Sequence, residues 1–142
     1  MMRLTKNSWV LKKYIFTIVF ISWVVFITLL SLFSFEEESI PSIAIPHFDK
    51  LVHFTFYFGF TVLGCLSFRE LDRRSIPLGK ALVKIIIYAV VYGIVIEVLQ
   101  GVATIDRDPD LLDVLANSSG ALFGSFAVKY MFSGKTSLKW LK

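Results

Sequence analysis

Hydrophobic positions dominate four stretches of the chain, Tyr14 to Phe35, Leu51 to Phe68, Leu82 to Gly101 and Leu111 to Phe132, and polar residues gather between them. Each stretch is 18 to 22 residues long. At about 1.5 Å of rise per residue, helices of this length reach roughly 27 to 33 Å, the depth of a bilayer's hydrocarbon core. The many Ile and Val residues do not argue for strands, because an open sheet cannot satisfy its backbone groups in lipid. The pattern predicts an all-α integral membrane protein: a four-helix bundle of transmembrane spans at about 14–35, 51–68, 82–101 and 111–132, forming one domain over residues 1–142.

Composition agrees. Of 142 residues, 56% are hydrophobic and 18% charged, with a mean hydropathy of +0.70, more apolar surface than a water-soluble domain covers. The net charge of +4 is modest, and the basic residues lie between apolar runs rather than along a groove, which argues against nucleic acid as a partner. The single cysteine, Cys65, lies inside an apolar run, so an internal disulfide is excluded and packing is its expected role. The first run follows Arg3, Lys6, Lys12 and Lys13. It is longer than a signal-peptide core, and no small-x-small pattern precedes Glu36, so it reads as an uncleaved span.

Charge then orients the spans. The N-terminal segment, the connector from Arg69 to Lys84 and the C-terminal segment hold 13 of the 15 Lys and Arg residues; the other two connectors hold only Lys50 and Arg107, with seven of the eleven acids. By the positive-inside rule both termini are expected in the cytoplasm and residues 36–50 and 102–110 outside. Trp9 and Trp140 fall where an indole anchors at the headgroups, and Lys84 and Lys129 where a long side chain snorkels to water. Gly120 and Gly124 form a G-x-x-x-G that permits close helix approach, expected within the bundle rather than in a homodimer.

Against this background a few polar side chains lie within or at the lip of the membrane, all toward the outer side. Asp49 and His53 are one helical turn apart, with Lys50 beside them; Glu97 and Gln100 share a face; Asp110, Asp113 and Asn117 follow Arg107 at helical period, and Gly120 and Gly124 continue their stripe. A carboxylate at the bilayer centre costs about 2.5 to 3.5 kcal/mol unless paired or neutralised. Glu97 and Asp113 therefore need partners, and Lys50, Arg107 and a protonated His53 are the available ones. One cluster of His53, Glu97, Arg107, Asp113 and Asn117 is expected. His53, Glu97 and Asp113 are candidate catalytic residues, as an acid, a base or a metal triad; Asp49, Lys50, Gln100, Arg107, Asp110 and Asn117 are candidate binding residues. The competing structural explanation is helix-to-helix bonding, with capping for Asp49, Lys50 and Asp110. The sequence carries no nucleophile motif, zinc spacing or phosphate loop, and it identifies no metal or cofactor.

The stretches D-K-L-V-H-F (Asp49 to Phe54), E-V-L-Q (Glu97 to Gln100) and R-D-P-D-L-L-D-V-L-A-N-S-S-G-A-L-F-G (Arg107 to Gly124), taken in order, resemble the VanZ-like family of bacterial membrane proteins. One departure is Thr104, Ile105 and Asp106, where family members often have a Pro-Gly turn. The resemblance implies a multi-pass protein of the bacterial cell membrane whose founding relative is tied to teicoplanin resistance; it supplies no established reaction. The expected role is action at the outer face on a cell-wall precursor or lipid-linked component. The alternatives are a small ion- or proton-coupled transporter and a structural interaction protein.

Overall fold

The computed structural model describes residues 13–32, 47–71, 76–103, 110–134 and 140. Among these there are four helices and no strand: α1 (Ile15–Leu32), α2 (Phe48–Leu71), α3 (Leu78–Ala103) and α4 (Leu111–Met131). All four are long and apolar enough to cross a membrane. Helices α2 and α3 overrun the apolar runs at both ends: polar residues such as Asp49, Lys50, Arg69, Glu70 and Lys80 continue the helix where hydropathy falls, and Val102 and Ala103 extend α3. Asp49 and Lys50 thereby join the first turn of α2, and Lys80 joins the first turn of α3.

The distribution of side chains is inside out relative to a protein built for water. The buried set includes His53, Thr61, Glu97, Gln100, Asn117 and Ser125, while Val91, Ile94, Val98, Leu115, Leu122, Phe123 and Phe126 are exposed. In α3 the buried positions Ala81, Ile85, Ala89, Gly93, Ile96, Glu97 and Gln100 recur about every turn, with Val83, Ile87, Val91 and Val95 on the other side. Lipid tails solvate such an apolar exterior, so close packing and interhelical hydrogen bonds must supply the association energy.

Helix α2 packs against all three others. Its seam with α4 is built on small residues: a Cβ at Gly120 would collide with the backbone carbonyl of Phe54, and one at Gly124 would stand 2.8 Å from that of Phe58. The G-x-x-x-G is thus spent inside the bundle, as its sequence position predicts. Polar bonds seat α1. Trp23 donates its indole N–H to the Phe56 carbonyl at 3.0 Å, and the hydroxyls of Thr28 and Tyr92 lie 2.7 Å apart. Each such bond contributes about 0.6 to 2 kcal/mol in a membrane.

At the N-terminal end of α1 the Glu70 carboxylate accepts the backbone N–H groups of Phe16 (3.0 Å) and Thr17 (2.8 Å) and the Thr17 hydroxyl (2.9 Å). A carboxylate there satisfies otherwise orphaned donors and complements the helix dipole. Ser67 adds a bond to Thr17 at 3.2 Å. Polar side chains within the spans are therefore not confined to one half, as the sequence pattern implied. Trp140 also departs from expectation: it is buried, donating its indole N–H to the Ile76 carbonyl at 2.8 Å and packing edge-on against Phe132. That bond ties Trp140 to the residues just before α3. Trp9 lies outside the described residues.

Candidate functional site

The chain order brings the start of α2, the end of α3 and the start of α4 to the same end of the bundle. Helix α4 starts at Asp110, whose extended backbone (φ −113°, ψ 118°) and side-chain oxygen, accepting the Leu112 N–H at 2.8 Å, make it the N-cap. Asp113 occupies the first turn, where the helix dipole favours an anion. From α3, Glu97 Oε1 accepts the backbone N–H of Asp110 at 2.6 Å. Three carboxylates thus meet at one helix N-terminus.

Lys50 joins them to α2. Its ammonium lies 2.7 Å from Asp49, 2.5 Å from Asp110 and 2.7 Å from Asp113. Asp49 and Asp110 accept hydrogen bonds from it, and Asp113 Oδ1 meets it as an ion pair without hydrogen-bond alignment. Beneath it, His53 directs Nδ1 to the Asn117 Oδ1 at 3.1 Å and Nε2 toward Asp113 at 3.7 Å. Side-chain exposure falls from 48% at Asp49 and 39% at Asp110 to 20% at Lys50, 14% at Asp113 and 8% at His53. The cluster opens at the helix ends and closes inward.

The electrostatics follow from these contacts. The Lys50 ammonium, helped by the Leu112 N–H, holds the Asp110 carboxyl below the usual carboxylate range. Deeper in, Asn117 orients the imidazole so that its second nitrogen faces the Asp113 carboxylate. At 3.7 Å the two groups face each other beyond direct hydrogen-bond reach. Among the described residues, no group of three or more His, Cys, Asp or Glu side chains is arranged to hold a metal ion.

The predicted residues thus divide. Asp49, Lys50, His53, Glu97, Asp110, Asp113 and Asn117 are linked contact by contact. Gln100 is buried and turns to α1, donating to the Ser31 carbonyl at 2.9 Å. Arg107 lies outside the described residues. Gly120 and Gly124 lie further along α4 in the α2 seam. Sequence reasoning passed over Tyr57, which is 1% exposed one turn below His53 on the same face of α2; continuing the spacing from Asp49 through His53 would have found it.

The VanZ/LLP1 family model matches residues 3–132, nearly the whole chain. The chain matches no curated protein and no solved structure. With four apolar helices and the ordered motifs of α2, α3 and α4 brought to one end of the bundle, this chain belongs to the VanZ/LLP1 family and is a multi-pass membrane protein.

Proposed function

We propose that the protein acts at the outer face of the bacterial cell membrane, on a cell-wall precursor or lipid-linked component, through the cluster of Lys50, His53, Glu97, Asp113 and Asn117. The observation that carries this is the His53 contact pair, Asn117 on one side and Asp113 on the other, in a span whose ordinary tenant is an apolar side chain. Ionisable groups within a membrane are costly and mark sites of function by default. The positive-inside rule supports putting this end outside, with both termini in the cytoplasm. A surface substrate would then reach the cluster through its more exposed rim at Asp49 and Asp110. His53 and Asp113 would move a proton at the bound group, and Lys50 would keep the surrounding carboxylates in place.

Transport is less well supported. Between Thr61 and Ser67, α2 buries only Gly64, Cys65 and Leu66, so its polar row is interrupted where a relay through the bundle would need it. Expression in a susceptible bacterium tests the envelope role. Tolerance should rise more to teicoplanin-type lipoglycopeptides than to vancomycin; unchanged susceptibility with the protein present in the membrane would contradict it.

A further inference from the structure

Below the ion cluster, three deeply buried side chains keep a polar atom without a protein partner: the Tyr57 hydroxyl, Glu97 Oε2 and Asn117 Nδ2. The residues are 1%, 5% and 2% exposed. Buried polar atoms are satisfied in nearly all native structures, and an unsatisfied one is costly in a low-dielectric interior. Their other atoms explain where these face. Asn117 Oδ1 is taken by His53 and Glu97 Oε1 by the Asp110 N–H, which leaves the second atom of each group unpaired. Asn117 and Tyr57 both close on Gly93 of α3: a Cβ there would stand 3.2 Å from Asn117 Nδ2 and 3.2 Å from Tyr57 Cε1. Glu97 follows one turn along the same face of α3. Thr61 Oγ1, one turn beyond Tyr57, is also without a partner.

We propose that Tyr57, Glu97 and Asn117 bind a hydroxyl group between them, which makes Tyr57 a binding residue and hydroxyl-bearing molecules the ligand class of this site. This rests on the reading of the cluster as a ligand site. The donor and acceptor set selects the chemistry. A hydroxyl oxygen accepts from Asn117 Nδ2–H and from the Tyr57 O–H, and its own proton goes to Glu97 Oε2. An ammonium group offers Asn117 nothing to donate to, and a phosphate is repelled by Glu97. Water and the hydroxyl of a lipid headgroup share the required chemistry.

Cysteine labelling of the full chain in vesicles tests this, with a neutral hydroxyethyl methanethiosulfonate reagent. In a Cys65→Ser background, Tyr57→Cys and Asn117→Cys should react at least an order of magnitude faster than Phe60→Cys, because a thiol needs water to ionise. Phe60→Cys also trades a buried ring for a thiol but lies outside the polar set. Phosphatidylcholine has no headgroup hydroxyl and phosphatidylglycerol has two. Slower labelling in phosphatidylglycerol identifies the lipid hydroxyl as occupant, and equal rates identify water. Tyr57→Cys and Asn117→Cys as inert as Phe60→Cys and native Cys65 would overturn the proposal. His53→Cys separates the two claims, since it should label whether or not water reaches Tyr57 and Asn117; if it too is inert, the ligand-site reading falls with the proposal. Tyr57→Phe gives a second measure. It should lower or leave unchanged the melting temperature, whereas a rise would mean the hydroxyl is a dry orphan and would overturn the proposal.

Discussion

The Glu97 side chain accepts the backbone N–H of Asp110 at 2.6 Å, so an acid near the end of α3 caps the start of α4 thirteen residues later. That bond fixes how the two helices meet, and it leaves the other carboxylate oxygen of Glu97 buried and facing inward. One side chain thereby serves both fold and site. Variants at Glu97 must be chosen to separate these roles, and Glu97→Gln, which retains a carbonyl acceptor for the Asp110 N–H, is the suitable one.

Lys50 holds three carboxylates from two helices. Lys50→Ala leaves Asp113, its least exposed partner, without its counter-charge; the pair is only partly buried, so the cost falls below the roughly 3 to 5 kcal/mol of breaking a fully buried one. Asp49 and Asp110 are more exposed and add little, since water screens them. Thermal unfolding in lipid nanodiscs should show a loss for Lys50→Ala and partial recovery on adding Asp113→Asn. No recovery would mean Lys50 acts elsewhere.

Gly120 faces the Phe54 carbonyl so closely that no Cβ fits. The obstacle is backbone and cannot rotate away, so Gly120→Ala should destabilise the bundle by about 1 to 3 kcal/mol. Gly79, whose Cβ position meets nothing within 4 Å, is the control, and Gly79→Ala should be neutral or slightly stabilising in the same nanodisc melts. Equal effects at both positions would contradict the α2–α4 seam.

Asp110 has its folded pKa held down by Lys50 and the Leu112 N–H. A depressed carboxylate stabilises the fold fully above its ordinary value of about 3.9 and loses that contribution as pH falls through the lower folded value. The melting temperature should drop with acid below about pH 4, and Asp110→Asn should flatten part of that drop while retaining the cap. An unchanged acid profile in Asp110→Asn would contradict the assignment.

Much of this was legible in the chain. Hydropathy finds all four helices because a 20-residue apolar run has few other uses, and periodicity places Asp110, Asp113, Asn117, Gly120 and Gly124 on one face of α4. What periodicity cannot give is which neighbour each face meets. Gln100 shares a face with Glu97, yet bonds to Ser31 of α1. Glu70, in a connector by hydropathy, caps α1 from 54 residues away in sequence. Tyr57 escapes because an aromatic side chain within an apolar run reads as packing, and only the geometry reveals its unpaired hydroxyl.

The proposed orientation rests on the 13-to-2 division of basic residues and is open to direct labelling. On the proposed topology, an impermeant thiol reagent should reach a cysteine introduced at Glu37 or Asp106 in intact cells, and one at Arg73 only after permeabilisation. Labelling of Arg73→Cys from outside would reverse the assignment and put the cluster on the cytoplasmic side.

As proposed, the cluster is a charge-dependent site rather than a set of interhelical ties. Glu97→Gln and Asp113→Asn keep the shape of each side chain and remove a charge whose insertion is costly, so both variants should still enter the membrane. The direct measurement is teicoplanin susceptibility alongside quantified membrane protein, for wild type and each variant in the same host. Raised tolerance is expected from the wild type and none from either variant at equal membrane abundance. Full tolerance from well-expressed Glu97→Gln and Asp113→Asn would contradict a charge-dependent site.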